Sequence, residues 1–213
     1  MNFSLPRFYA IIDRAKTGER SPLEVCEVLL GAGVCLIQYR DKRASSRVLF
    51  ENSRALAERI RSAGRIFIVN DRADVAWAAG AQGVHVGQED LPVESARKIL
   101  GPQAIVGYST HDLAQLAQAD GSTADYIAYG PIFPTRSKEN PDPVVGLDGL
   151  RAARRATRKP LVAIGGITLE TAGAVLEAGA DSVAVISDLL SAPDLAARAR
   201  EFLQAVGENR PGM

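Results

Sequence analysis

The chain carries no excess of either charge: lysine and arginine number 25, aspartate and glutamate also 25, and the formal net charge at pH 7 is zero. A surface without a net field offers little to nucleic acid or to an anionic membrane, so an anionic ligand has to be caught by local groups. Cysteine is scarce as well. Cys26 and Cys35 form no CxxC motif and have no histidine cluster beside them, so they read as reduced structural thiols in a reducing cytoplasm. No stretch reaches the roughly 18 apolar residues of a membrane helix, and no basic start followed by an apolar run opens the chain. A cytoplasmic, untargeted protein without nucleic-acid or membrane partners is expected. Nor does any grouping suggest a nucleophile with its base.

What the 213 residues do contain is a repeated unit. Short β-branched or aromatic runs alternate with longer stretches of helical periodicity, and each run ends in a polar or glycine-rich turn. The runs are Phe8 to Ile12, Cys35 to Lys42, Ile66 to Val69, Gly83 to Gly87, Ala104 to Tyr108, Tyr126 to Tyr129, Leu161 to Ile164 and Ser182 to Ile186. Pro22 opens the first helix and Gly33 stops it, Pro92 opens the fourth, and a helix is expected after every strand. Repeated βα units force parallel strands with crossover helices, and eight of them in a chain of this length fit a closed barrel better than an open sheet. The expected fold is therefore α/β, a single-domain (β/α)8 TIM barrel over residues 1–206, with 207–213 as a frayed tail.

In such barrels chemistry sits at the C-terminal ends of the strands. Gln38, Arg40, Lys42, Asn70, Asp71, Asp90, Ser109, Gly166 and Ser187 all fall there. In a strand, Gln38, Arg40 and Lys42 point the same way, and a guanidinium fork beside an ammonium suits a diphosphate more than a single carboxylate. The plain alternative is a solvated strand end. Asp71 and Asp90 end consecutive strands and can converge on one Mg²⁺, a cation that accepts few protein oxygens when phosphates and waters complete its shell. Against that, Asp71 could pair with Arg72, and Asp90 could cap the helix at Pro92. The long loop Gly130 to Pro143 has the position of a lid, with Thr135, Ser137 and Lys138 as phosphate donors. Gly165-Gly166-Ile167 and Ile186-Ser187 stand where α/β barrels commonly hold a phosphate on backbone N–H groups. His85 reads as a hydrogen-bonded core residue, and His111 either positions a base or merely begins the fifth helix. Two anion sites on one rim imply two phosphorylated partners or one bisphosphate.

Taken in order, Gln38-Tyr39-Arg40-Asp41-Lys42, Asn70-Asp71-Arg72, Gly83 to Pro92, Ser109-Thr110-His111, Gly130 to Lys138 and Ile164 to Ile167 resemble the thiamine-phosphate synthase family over nearly the whole chain. The resemblance implies a transferase that joins 4-amino-2-methyl-5-hydroxymethylpyrimidine diphosphate to a thiazole phosphate, carboxylated or not, with release of diphosphate and, from the carboxylated thiazole, CO₂. It assigns Gln38, Tyr39, Arg40, Asp41, Lys42, Asn70, Ser109 and Lys138 to the pyrimidine diphosphate, with Arg40, Lys42, Lys138 and Ser109 as catalytic groups. By the same match Thr135, Arg136, Ser137, Gly166, Ile186 and Ser187 hold the thiazole phosphate, and Asp71 and Asp90 hold Mg²⁺. The family's Thr-x-Thr-Lys stands here as Thr135-Arg136-Ser137-Lys138, in which serine keeps the hydroxyl. Loss of diphosphate before the thiazole nitrogen attacks needs charge stabilisation and exclusion of water rather than a dedicated base. Other readings are a thiazole tautomerase of the same fold, with His111 as proton shuttle, and a non-catalytic phosphate-binding barrel. Homo-oligomerisation is left open.

Overall fold

The computed structural model describes residues 4–135 and 142–208. Its strands are β1 (Phe8–Asp13), β2 (Leu36–Arg40), β3 (Ile66–Asn70), β4 (Gly83–Val86), β5 (Ile105–Thr110), β6 (Tyr126–Tyr129), β7 (Leu161–Ile164) and β8 (Ser182–Val185). All pair in parallel with their neighbours in chain order, and β8 returns to β1, which closes the barrel. The helices are α1 (Pro22–Ala32), α2 (Ser46–Ser62), α3 (Ala73–Ala79), α4 (Val93–Leu100), α5 (Leu113–Asp120), α6 (Gly146–Ala156), α7 (Leu169–Glu177), α8 (Ser187–Leu190) and α9 (Leu195–Ala205). The chain is a (β/α)8 TIM barrel, as its punctuation predicts.

Local chemistry accounts for the boundaries. At α1 the Ser21 hydroxyl accepts from Glu24 N–H while the Glu24 carboxylate accepts from Ser21 N–H, Pro22 stands first in the helix, and Gly33 closes it at φ 102°. Asp112 caps α5 by accepting from Gln115 N–H, and Asp194 caps α9 by accepting from Ala197 N–H.

Alternation along each strand separates two apolar layers. Tyr9, Ile11, Leu36, Ile68, Tyr126, Ala128, Val162 and Ala184 fill the barrel, whereas Phe8, Ala10, Ile12, Ile37, Tyr39, Phe67 and Val69 pack outward under the helices. This parity decides which strand-end residues can reach the mouth.

Two local readings are corrected. β5 runs on to Thr110 rather than stopping at Tyr108: Ser109 and Thr110 pair with Ala128 and Tyr129, and the Thr110 hydroxyl donates to Ala128 O at 3.0 Å. Directly after β8, Ser187 and Asp188 begin the short helix α8. Glu208, placed in the frayed tail, donates its N–H to Leu203 O and accepts from Arg7 N–H, so packing continues past 206. No helix among the described residues is long and apolar enough to cross a membrane.

Candidate active site

The ends of β2, β3 and β4 carry the charged side chains. Gln38 and Arg40 share the inner parity of β2. The Arg40 guanidinium donates to Asp13 Oδ2 at 2.5 Å, and Asp13, its register partner on β1, is 1% exposed. Asp13 also accepts from Ala15 N–H, so its carboxylate is itself held still. Sequence reasoning missed this residue; an aspartate directly after the first strand run, at a strand end like Arg40, is the signal that marks it. Lys42, beyond the strand, turns to Asp71, with Nζ 2.5 Å from Oδ2. The Lys42 side chain is 53% exposed, so this pair faces solvent and a ligand can displace it.

The side chains of two residues expected at the pyrimidine diphosphate are engaged within the protein. Tyr39 has the outward parity and is buried under the helices, where its hydroxyl donates to Asp41 Oδ2 and accepts from Asn52 Nδ2. Asp41 folds the following loop by accepting from Arg43 and Ala44 N–H, both at 3.1 Å. A period of two puts Tyr39 on the face opposite Gln38 and Arg40, and this alternation is the reason for the correction.

Asp71 is held in a strained conformation. Its φ is +65°, the one positive value among described residues other than glycine. Arg72 N–H donates to Asn70 O at 2.8 Å across it, which makes a γ-turn of the rare, costly hand, and Asp71 N–H donates to His85 O at 2.7 Å. Arg72 does not pair with Asp71: its guanidinium takes both oxygens of Asp74. Asp90 does not cap a helix either. It accepts from Gly87 N–H at 2.7 Å, and α4 begins at Val93 after Pro92 with no side-chain cap. The two carboxylates are close enough that the Asp71 charge acts on Asp90. Burial holds the Asp90 carboxyl above the usual carboxylate range; the Gly87 N–H opposes this, and the neighbouring Asp71 carboxylate adds to it.

This donor set fits a hard divalent cation. No group of three or more His, Cys, Asp or Glu converges among the described residues, so two carboxylates are what the rim offers. Mg²⁺ accepts that number when waters and substrate oxygens complete its octahedron.

The opposite side of the mouth is built from backbone. Ile132 and Phe133 N–H donate to Ile164 and Gly165 O, which lays the start of the β6 loop along the end of β7. Gly165 and Gly166 have φ of 99° and 65°, and a Cβ on Gly166 would stand 2.5 Å from Pro134 O. Ile186 is half-buried against both apolar layers, and Ser187 opens α8 with no side-chain cap. An extra short helix after the eighth strand is where barrels of this kind commonly bind phosphate. Thr135 ends the first described stretch, whereas Arg136, Ser137 and Lys138 lie outside the described residues. His111 lies before α5 and fastens the loop at both ends: its Nδ1 is 2.7 Å from Gly130 O and 3.5 Å from Asp142 Oδ2. His85 is the hydrogen-bonded core residue expected, 7% exposed.

Fold and site together define a class, the (β/α)8 barrel enzymes whose strand ends gather cations, a carboxylate pair and glycine-bared backbone for phosphorylated small molecules. Residues 8–189 match the family described as thiamine monophosphate synthase. The chain is 53% identical over 204 residues to a thiamine-phosphate synthase of Koribacter versatilis, covering 94% of this chain and 95% of the relative. It is 47% identical over 204 residues to that of Moorella thermoacetica, with 95% and 96% covered. Among solved structures, the thiamine phosphate pyrophosphorylase of Pyrococcus furiosus superposes with a TM-score of 0.86 at 37% identity, over 95% of this chain and 96% of its own. The chain belongs to the thiamine monophosphate synthase family.

Proposed function

We infer that this barrel forms thiamine phosphate by joining 4-amino-2-methyl-5-hydroxymethylpyrimidine diphosphate to a thiazole phosphate. The observation that carries the reading is the strained Asp71 turn, which sets one carboxylate against Asp90 and beside the Lys42 ammonium. Arg40 and Lys42 bring two positive charges, but Asp13, Asp71 and Asp90 oppose them, so the described part of the rim has no surplus charge for a diphosphate. Asp71 and Asp90 would hold a divalent cation there, and Mg²⁺ would supply the positive charge that the diphosphate requires.

The chain's own residues do the rest. Arg40, aimed by Asp13, and Lys42, released from Asp71, bind the departing diphosphate. Asn70, Gln38 and Ser109 orient the pyrimidine from the inner face, and Lys138 adds a cation from the loop. Gly166 and the start of α8 at Ser187, with Thr135, Arg136 and Ser137, hold the thiazole phosphate on the other side, so that its ring nitrogen meets the methylene carbon. The buried walls exclude water from the cation left when diphosphate departs. No general base is needed, in keeping with the absence of an evident triad. The purified protein incubated with both substrates and Mg²⁺ is expected to yield thiamine phosphate and diphosphate. No product over a range of Mg²⁺ concentrations would overturn the reading.

A further inference from the structure

The interior of a small barrel is normally filled with branched aliphatic side chains. Here a continuous run of hydrogen bonds crosses it instead. Gln38 Nε2 on β2 donates to Tyr9 Oη on β1 at 2.7 Å, and Tyr9 Oη lies 2.9 Å from Tyr126 Oη on β6. Tyr126 Oη lies 3.0 Å from His85 Nδ1 on β4, and His85 Nε2 lies 2.8 Å from Ser109 Oγ on β5. Both phenols are fully buried, Gln38 is 2% exposed, and space for the run is cut into β5. A Cβ on Gly107 would stand 2.1 Å from Tyr126 Cζ and 2.5 Å from His85 Nδ1.

The run has a direction. A phenol has one proton, so one that accepts along the run donates to the next member. Gln38 Nε2 donates to Tyr9; Tyr9 then donates to Tyr126, and Tyr126 to His85 Nδ1. The neutral imidazole must carry its proton on Nε2, where it donates to Ser109 Oγ, and the Ser109 hydroxyl proton is left for a group above it. At the other end Gln38 Oε1 has no protein partner among the described residues and is not among the buried atoms lacking one, so it meets the mouth as an acceptor. Burial holds both phenols far above the ordinary tyrosine range, so neither becomes a phenolate that could reverse the run.

We propose that Tyr9, Tyr126 and His85 are positioning residues that set the hydrogen-bonding polarity of the barrel floor, holding Gln38 as an acceptor and Ser109 as a donor. The inference rests on the functional reading above, in which the pyrimidine lies over these two groups. An aminopyrimidine offers an exocyclic N–H to the acceptor and an unprotonated ring nitrogen to the donor. A 4-oxo pyrimidine presents a carbonyl where the floor also presents one, and it is rejected.

Two measurements test this. ¹⁵N-histidine NMR of the full chain, which has two histidines, reads the His85 tautomer without any substrate. The expected state is Nε2–H with a bare Nδ1; an Nδ1–H tautomer overturns the proposal. The second is the ratio of kcat/KM for the 4-amino over the 4-oxo pyrimidine diphosphate, expected above about 10³ in the wild type, since an unpaired buried polar group excludes an analogue strongly. In Tyr9→Phe the ratio falls about 10- to 100-fold, through KM for the pyrimidine diphosphate, while KM for the thiazole phosphate holds and His85 no longer shows one tautomer. Tyr126→Phe cuts the run at another point and reproduces both changes. Variants that fold and keep both tautomer and ratio sink the proposal. A wild-type protein that fails to join the substrates overturns the functional reading, and the choice of ligand with it, while the tautomer still reports on the run itself.

Discussion

Side chains form one side of the barrel mouth and backbone forms the other. At the ends of β1 to β4, Asp13 fixes Arg40, while Lys42, Asp71 and Asp90 stand together where a ligand or cation can rearrange them. At the ends of β7 and β8, Gly165 and Gly166 take left-handed conformations under the β6 loop, and α8 begins without a side-chain cap. The first side holds charges that a bound ion would change; the second is set by backbone conformation. A reaction that expels a diphosphate needs an adjustable field where charge departs and a rigid cradle where a phosphate merely anchors.

The sharpest break in this comparison comes from the side-chain half. Asp71→Asn keeps a residue that tolerates positive φ but replaces a hard anionic ligand by an amide. Turnover is expected to fall about 100- to 1,000-fold at limiting Mg²⁺, with thermal midpoints unchanged within a few degrees. Asp90→Asn should behave alike and recover in part at high Mg²⁺. Titration of thiamine phosphate formation against Mg²⁺ checks both, and normal coupling at limiting Mg²⁺ would remove the metal assignment.

The backbone half is expected to break differently. Gly166→Val places a Cβ against Pro134 O and Phe133 Cβ at a φ of 65°, so the loop has to shift. KM for the thiazole phosphate should rise about 10-fold or more, with a smaller change for the pyrimidine diphosphate, and stability should drop by about 2 kcal/mol. Equal effects on both substrates would mean that the two sides are not separate.

Asp13→Asn tests how the guanidinium is aimed. Loss of a buried carboxylate beside Arg40 should cost about 1 to 3 kcal/mol in denaturant unfolding and raise KM for the pyrimidine diphosphate. Unchanged kinetics would show that Arg40 needs no partner. The smallest effect belongs to Tyr39→Phe, which removes a hydroxyl from the Asp41 loop. About 1 kcal/mol of stability is expected to go, with KM for both substrates within about twofold of wild type. A tenfold rise in KM for the pyrimidine diphosphate would return Tyr39 to the site.

Much of the side-chain half was legible before any coordinates, because polar residues placed two apart in β2 and acids directly after β3 and β4 leave a pattern in the residue order. The side-chain direction of Tyr39 was not legible, because a contiguous motif does not show that alternate members face opposite layers. The length of α8 was not legible either, since four residues carry too little periodicity to mark a helix.

The order of residues determined by itself that this chain would make eight βα units and close them, since strand and helix periodicities and their caps are local properties. It also put the reactive side chains on one rim, because each follows its own strand. Only the tertiary structure decided which strand ends face each other: that Asp13 aims Arg40, that Lys42 meets Asp71, and that Tyr9 and Tyr126 join Gln38 to Ser109 through His85. Those partners come from strands up to 117 residues apart. Their meeting depends on the register with which the barrel closes, a quantity that the whole packed assembly sets and no single stretch of sequence contains.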